Sequence, residues 1–178
     1  MKFNKVLAAG AALATAASML AFAPGAQAQT TATLSITGGL LTISEPASTV
    51  HLGNVESGSL TFSGTLGNVQ VTDERGNLVA TWTATVSATN FTTGTAATPA
   101  ASETIANTNI TYTAPAATTT GTGTFTPGVG LTLGAPATAG TWAGEGTNTA
   151  TWNPTLAFTL LSSQVSGTYT GTVTHSVA

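Results

Sequence analysis

The feature that most constrains the fold is a strict alternation of apolar and hydroxyl-bearing side chains over residues 78–90. Successive side chains of a β-strand point to opposite faces, so the alternation predicts a strand with one apolar face and one wet face. Strands of this kind belong to antiparallel sheets, because parallel sheets are normally covered on both sides. The predicted apolar face consists of Ala80, Trp82, Ala84, Val86 and Ala88, with Thr or Ser between them.

A second alternation, over residues 167–177, predicts a similar strand near the C-terminus, with Tyr169 and His175 on its less polar face. Outside the N-terminal segment, no stretch has the period of an amphipathic helix. About seven to ten short strands predict an all-β fold, a single antiparallel β-sandwich of the immunoglobulin-like, Greek-key type. The other predicted strands are residues 31–43 (a hairpin around Gly38 and Gly39), 59–63, 67–73, 104–113, 147–152 and 155–161, whereas 92–103 is predicted as a loop and 114–140 as the least structured segment.

Residues 1–28 have the three parts of a secretory signal peptide. Lys2 and Lys5 give a positive start, an Ala- and Leu-rich apolar stretch follows, and the tripeptide Ala-Gln-Ala ends the segment as a small-x-small cleavage site. The apolar stretch is too rich in alanine for a retained membrane anchor, which needs about 20 strongly apolar residues. We therefore predict cleavage after residue 28, secretion, and one domain over residues 29–178.

The predicted mature chain has almost no charge. Arg75 is its one cation and all six acids lie in it, so one positive and six negative side chains give a net charge of −5. This composition excludes a basic nucleic-acid footprint and a polybasic segment that would hold an anionic membrane surface. The chain contains no cysteine, so the fold must be stable without disulfides. Threonine, which is β-branched and suits strands, is the commonest residue after position 28.

The charged tetrad Asp73-Glu74-Arg75-Gly76 lies between two strand-like runs. Asp favours the first position of a type I turn and Gly favours the end of such a turn. The tetrad therefore predicts a hairpin turn in solvent. A calcium site using Asp73, Glu74 and Asn77 is an alternative interpretation, although the EF-hand loop pattern is missing.

Three segments of the chain together resemble a known family. They are VTDERGNLVATWTATVSATNFT at 71–92, WNPTL at 152–156 and LSSQVSGTYTGTVTHSVA at 161–178. In this order and at these distances they are similar to the WxL domain of Gram-positive bacterial surface proteins, and the resemblance covers the chain from about residue 34 onward. The chain would be a divergent member, because Ala84 stands in place of the first motif's Leu, and His175 and Val177 replace the Trp and Leu of the second.

The WxL family is known for non-covalent attachment to the cell wall through peptidoglycan. The resemblance therefore implies a secreted, cell-wall-associated binding or structural protein whose partners are peptidoglycan or other surface proteins. An alternative follows from the strands themselves. Edge strands usually carry charge that blocks pairing with other chains, and this chain lacks it, so a self-associating extracellular matrix or envelope subunit is also predicted.

Aromatic side chains are the candidate ligand contacts. Trp142 and Trp152 lie in Gly-, Thr- and Asn-rich segments that predict exposed loops, where an indole could stack on a sugar ring. Trp82 is a third candidate, but its place on the apolar face of a strand favours core packing. His175 is interpreted as partly buried and hydrogen-bonded. No enzymatic activity, cofactor or metal site is predicted, because His51 is the only other histidine and no G-x-S-x-G elbow occurs.

Overall fold

A computed structural model describes residues 30–46 and 49–178. The predicted signal peptide, residues 1–28, lies outside the described residues. The chain divides into two compact units, residues 1–35 and 36–178. The first is described only over residues 30–35, which contain no helix or strand. All of the strands lie in the second unit.

The second unit is built almost entirely of antiparallel strands, which confirms the predicted all-β antiparallel sandwich. Every strand pair found in the described residues is antiparallel. Two short 3₁₀ turns, Ala101–Glu103 and Asn107–Asn109, flank β6. The strands are β1 (Leu41–Ser44), β2 (Thr61–Thr65), β3 (Val69–Asp73), β4 (Ala80–Ala88), β5 (Phe91–Thr92), β6 (Thr104–Ile105), β7 (Ile110–Thr113), β8 (Thr118–Pro127), β9 (Leu131–Thr132), β10 (Ala137–Trp152), β11 (Thr155–Thr159) and β12 (Val173–Val177).

The first sheet is organised around β10, which is 16 residues long. One edge of β10 pairs with β8 along most of its length. Its other edge pairs with two strands in succession, because residues 137–144 pair with β4 and residues 148–152 pair with β3. Beyond these, β1 pairs with β3 and β12 pairs with β4. The late strand β10 therefore holds together the strands formed earlier in the chain.

This arrangement shows that the predicted hairpin at residues 73–76 is wrong. β3 and β4 do not pair with each other; both run antiparallel to β10 and follow one another along its edge. The tetrad lies in the connection between them, and Gly76 takes a left-handed conformation there, with φ of +65°. Asp73 is also buried rather than in solvent. A local turn pattern does not show that β10, some 70 residues later in the chain, pairs with both of these strands.

The segment predicted as least structured, residues 114–140, contains β8 and the start of β10, so that prediction is wrong. The alternation of apolar and polar residues was not evident in the sequence because glycine occupies an inward position of β8. The indole of a residue on β10 takes up the space there. A Cβ atom on Gly123 would lie 2.6 Å from the ring of Trp142. Glycine is therefore required where two strands and a large side chain share one place.

The predicted hairpin over residues 31–43 is also wrong, because only β1 forms there among the described residues. The preceding residues run alongside the connection after β3. The amide of Gly39 donates to the carbonyl of Glu74 at 2.6 Å, and the amide of Glu74 donates to the carbonyl of Leu40 at 2.9 Å. A Cβ atom on Gly38 would collide with the Arg75 carbonyl. The two glycines allow this segment to lie close to the backbone of the β3–β4 connection, and they do not form a reverse turn.

The second sheet has the strand order β2-β11-β7-β9. The chain changes sheet repeatedly, and two of these corners, after β2 and after β10, are adjacent. These corners are joined because the amide of Gly67 donates to Asn153 Oδ1 at 3.0 Å and the amide of Leu66 donates to the carbonyl of Pro154 at 2.9 Å. The two sheets share one core, whose largest fully buried side chains are Trp142, Trp152, Tyr112, Ile110, Leu133 and Leu156.

The predicted strand over 104–113 is two strands, β6 and β7, separated by the 3₁₀ turn Asn107–Asn109, and the one over 147–152 is only the end of β10; the remaining strand predictions are confirmed with shifted ends. The alternation over 78–90 forms β4, with Ala80, Trp82, Ala84 and Val86 buried. The alternation over 167–177 is regular strand only in β12, and Thr170 is joined by an isolated bridge to Thr92.

Candidate functional site

All three tryptophans proposed as ligand contacts are buried, each with 2% of its surface exposed. Trp82 lies in β4, which confirms its interpretation as a core residue. Trp142 and Trp152 lie in β10 rather than in exposed loops, so that prediction is wrong. Only the end of β10, residues 147–152, was predicted as strand, because Gly144 and Gly146 interrupt the alternation before it. None of the three indoles offers a face to a ligand in this structure.

The indoles instead form a continuous aromatic row on the inner face of the first sheet. Trp142 stacks on Trp82 with ring centroids 6.3 Å apart and planes 9° apart. Phe125 from β8 contacts Trp82 at 6.0 Å and stacks on Trp152 at 5.2 Å. Such pairs each stabilise a core by about 0.5–1.5 kcal/mol beyond their burial. The row therefore joins β4, β10 and β8 through side chains as well as through the backbone.

Two polar clusters adjoin this row, and the first contains the charged tetrad. In this Asp73 cluster, defined by Asp73, Arg75, Asn148 and Trp82, the buried carboxylate accepts three hydrogen bonds from Arg75. The backbone amide donates at 3.0 Å, Nε at 2.9 Å and Nη2 at 2.8 Å. Nη2 also donates to the carbonyl of Thr81 at 2.9 Å. The Arg75 side-chain bond, opposed by burial, holds the pKa of Asp73 below its ordinary value of 3.8.

Asn148 connects this carboxylate to the aromatic row. It lies directly opposite Asp73 in the β3–β10 register, and its Oδ1 accepts a hydrogen bond of 2.9 Å from the Trp82 indole. Within the described residues, neither Asn148 Nδ2 nor Trp142 Nε1 has a hydrogen-bond partner, although both are buried. One donor of the cluster, Asn148 Nδ2, and one of the adjoining Trp142 ring are thus without a partner among the described residues.

The calcium interpretation of this region loses its central ligand, because both carboxylate oxygens of Asp73 are bonded to the guanidinium of Arg75. Among the described residues, no three His, Cys, Asp or Glu side chains are grouped so that they could hold a metal ion.

The second cluster joins four elements through His175. In this His175 cluster, Glu45 Oε1 accepts hydrogen bonds from the His175 backbone amide at 2.6 Å and from Nδ1 at 2.8 Å. On the other side of the ring, Nε2 lies 3.1 Å from the hydroxyl of Tyr112, which also accepts a 2.7 Å hydrogen bond from Trp152 Nε1. The side chain of His175 has no exposed surface. The prediction of a partly buried, hydrogen-bonded histidine is confirmed.

The partners determine the proton positions in this cluster. Glu45 can only accept, so Nδ1 carries a proton, and the Tyr112 hydroxyl then donates to Nε2 of a neutral ring. Burial lowers the pKa of His175 from its ordinary value of 6.5, against the opposing effect of the Glu45 carboxylate. Burial also raises the pKa of Tyr112 to about 12. The neutral forms of both rings are therefore the ones that this environment favours.

A carboxylate, an imidazole and a hydroxyl in series also occur in sites that activate a nucleophile. Here the hydroxyl of Tyr112 is fully buried and is used in both directions, since it accepts from Trp152 and donates to His175. No reacting atom could approach it without displacing the core. This arrangement joins strands and does not present a nucleophile.

The positions that correspond to the two Trp-x-Leu motifs come together in the structure. Strands β4 and β12 are neighbours, with Val177 directly opposite Ala84 and His175 opposite Val86. The side chains of Trp82 and His175 point into the core. Trp82 and His175 therefore both have a packing role in this chain.

The exposed feature nearest to the Asp73 cluster is aliphatic. Four large side chains project from residues 36–40 and from the β3–β4 connection, two segments whose backbones are hydrogen-bonded to each other. We call this set the end patch; it consists of Ile36 (91% exposed), Leu40 (73%), Leu78 (84%) and Val79 (70%). Beside Leu78 lies an open depression of about 480 Å³ bordered by residues 76–78, 121–122 and 145–147.

Comparisons of the chain with protein-family models, with curated proteins and with solved structures found no match. In the part of the chain that the structure describes, no helix is both long enough and apolar enough to cross a membrane.

Proposed function

We propose that this chain is a secreted, non-catalytic surface protein, a divergent WxL domain that attaches non-covalently to the cell wall of a Gram-positive bacterium. The observation that carries the proposal is the end patch, four highly exposed aliphatic side chains on a protein with almost no charge elsewhere. Grouped exposed apolar side chains are characteristic of interaction sites, and the hydrogen bonds of Gly39 and Leu40 with Glu74 place the two segments that carry these side chains alongside each other.

The residues that carry the family resemblance support this location. Asp73 and Arg75 belong to the V-x-D-x-R-G part of the pattern, and their hydrogen bonds hold the connection from which Leu78 and Val79 project. The Trp-bearing strand that follows anchors the other end of the same connection in the core. In this proposal the tetrad shapes the attachment surface without touching the wall polymer.

The chemistry of the end patch predicts how attachment responds to salt. Contacts between aliphatic side chains do not depend on ionic screening, whereas exposed ion pairs weaken as the Debye length shortens. Arg75, the one cation of the predicted mature chain, is already paired with Asp73. Attachment should therefore persist at high ionic strength.

A sedimentation assay tests the proposal. The full chain is expressed in a Gram-positive host, the secreted protein is mixed with purified cell walls, and the bound fraction is measured at about 0.05 M and 1 M NaCl. We expect the protein in the pellet at both concentrations. A protein that remains in the supernatant at low salt would overturn wall attachment.

A matched pair of variants tests the surface. Leu78→Ser with Val79→Ser should reduce the bound fraction at least tenfold, since both side chains are removed from the end patch. Val129→Ser with Leu161→Ser makes the same chemical change at two exposed positions outside it. Equal loss in the two double variants would show that the end patch is not the contact, and circular dichroism of each variant checks that the fold is retained.

A further inference from the structure

Strand β8 forms a long open edge of the first sheet. It pairs with β10 on one side, and no described strand pairs with its other side. The ten residues have the sequence TTTGTGTFTP, with no charged side chain, and most of them are exposed. An open edge of this kind presents a row of backbone donors and acceptors to any other extended chain.

Strand β2, at one edge of the second sheet, has different surroundings. Strand β2 also ends its sheet, but residues 52–53 of the same chain lie against it. A Cβ atom on Gly64 would be 2.5 Å from the carbonyl of Leu52, and one on Gly53 would be 3.1 Å from the ring of Phe62. Residues 52–53 therefore pack against β2, whereas no backbone hydrogen bond from a described residue outside β10 reaches β8.

Natural edge strands are usually protected by lysine, by proline or by bulges. The one Lys or Arg side chain in the part of the chain that the structure describes is Arg75, which is paired with Asp73 and does not lie on β8. Pro127 limits the C-terminal end of the strand, and Gly121, with φ of +92°, interrupts its first half. The uninterrupted part of the open edge is residues 122–126.

We infer that this part of β8 pairs antiparallel with β8 of a second copy of the chain, in a two-fold symmetric dimer. An isologous contact places the same strand against itself, so it requires a self-complementary edge. The edge meets this requirement because threonines would lie opposite threonines. The sheet already contains such hydroxyl pairs, at 2.7 Å between Thr120 and Thr149 and at 2.7 Å between Thr85 and Ser176.

Charge does not oppose this pairing, although each copy is acidic. The acidic residue nearest in the sheet is Glu145, which lies on β10 opposite Thr122. In the dimer, the two copies of Glu145 would be separated by about three strand spacings, or roughly 14 Å. That separation exceeds the Debye length of about 8 Å at physiological ionic strength, so their repulsion is largely screened.

Light scattering coupled to size-exclusion chromatography tests the inference on the secreted protein. We expect the mass of a dimer at tens of micromolar and a shift of the dissociation constant by at least tenfold in Thr124→Lys, because a lysine on the edge blocks pairing. Thr83→Lys is the matched control, since Thr83 is equally exposed but lies on β4, which has strands on both sides. A wild-type monomer at millimolar concentration, or an equal response of both variants, would overturn the inference.

The absence of native cysteine allows a direct test of the pairing. Single variants Thr122→Cys, Thr124→Cys and Thr126→Cys are oxidised, and at least one should form a cross-linked dimer, since opposed Cβ atoms in a strand pair lie about 4.5–5.5 Å apart. Thr83→Cys should remain monomeric. Failure of all three to cross-link faster than this control would contradict the proposed register. The inference is independent of wall attachment, because Thr124→Lys should still sediment with cell walls.

Discussion

The Asp73 cluster and the His175 cluster both place a hydrogen-bond acceptor against a buried indole, but they use different groups to do so. Each satisfies a buried indole N–H, that of Trp82 in the first and that of Trp152 in the second. The first contains a formal ion pair whose partners are two residues apart. The second is built from a neutral ring and hydroxyl, and its members are 40 to 130 residues apart in the chain. In this protein, the ion pair organises one connection, whereas a neutral imidazole, bonded to the Glu45 carboxylate and the Tyr112 hydroxyl, joins segments that are far apart in the chain.

The difference follows from desolvation. Arg75 keeps about a third of its side chain in solvent, so the ion pair is formed without burying both charges. His175 has no exposed side-chain surface, and a charged ring there would need more compensation than one partly exposed carboxylate supplies. We therefore expect substitutions in the His175 cluster to lower the free energy of unfolding more than substitutions in the Asp73 cluster.

The largest effect is expected for Tyr112→Phe. The substitution keeps the ring but leaves Trp152 Nε1 and His175 Nε2 buried without partners, and each such loss costs about 1–3 kcal/mol. We expect the free energy of unfolding, measured by urea denaturation, to fall by about 3 kcal/mol. Tyr169→Phe is the control: its hydroxyl bonds only to backbone carbonyls near the surface, so the loss should be about 1 kcal/mol.

A smaller loss, about 2 kcal/mol, is expected for Asp73→Asn. The amide keeps the size of the carboxylate but loses its charge, and Arg75 is then free to turn towards solvent. The same denaturation experiment measures the loss, with Glu74→Gln as the exposed neighbour that should change stability by less than about 0.5 kcal/mol. If Asp73→Asn costs more than Tyr112→Phe, the comparison between the clusters is reversed.

Lowering the pH distinguishes the contributions of the two clusters to stability, because His175 and Asp73 titrate in different pH ranges. The folded state lowers the pKa of His175, so its contribution is complete above pH 6.5 and is lost as the pH falls from there through the lowered value. The contribution of Asp73 is retained until the pH falls below 3.8. Between pH 7 and pH 5, stability should decline by at most about 1.4 kcal/mol per pH unit.

Urea denaturation of variants between pH 7 and pH 5 shows which side chain causes this decline in stability. His175→Gln should flatten the dependence between pH 7 and pH 5, and the exposed control His51→Gln should leave it unchanged. An unaltered slope in His175→Gln would mean that the neutral cluster does not respond to acid.

The smallest effect is expected for Arg75→Lys, about 0.5–1 kcal/mol. Lysine keeps the positive charge but cannot reproduce the two-nitrogen contact with Asp73 and the bond to the Thr81 carbonyl at once. Because the pair is partly exposed, the loss should shrink further in 1 M salt. Thermal unfolding at low and high salt measures both quantities.

The sequence predicted those parts of the fold whose inner and outer faces differ in side-chain chemistry. β3, β4 and the core role of Trp82 follow from such alternation. β8 and much of β10 do not, because Gly123 and Gly144 stand at inward positions that neighbouring residues fill. The tetrad was interpreted as a hairpin because turn propensities are local, whereas β10, the strand that pairs with both β3 and β4, comes from far along the chain.

The site was predicted less completely than the fold. The sequence indicated a hydrogen-bonded His175 but not its partners, since Glu45 and Tyr112 are 130 and 63 residues away from it. Trp142 and Trp152 were interpreted as exposed because small residues surround them. Small neighbours are also what a large ring needs when two strands close over it, and a single sequence does not distinguish the two cases.

The late position of β10 has a consequence for how the molecule acquires its shape. Three earlier strands, β3, β4 and β8, depend on it for their ladder, and it begins at Ala137. The first sheet therefore cannot be completed until about three quarters of the polypeptide has been synthesised. Such non-local assembly is slow, so the interior of the sandwich stays open until most of the polypeptide has been made.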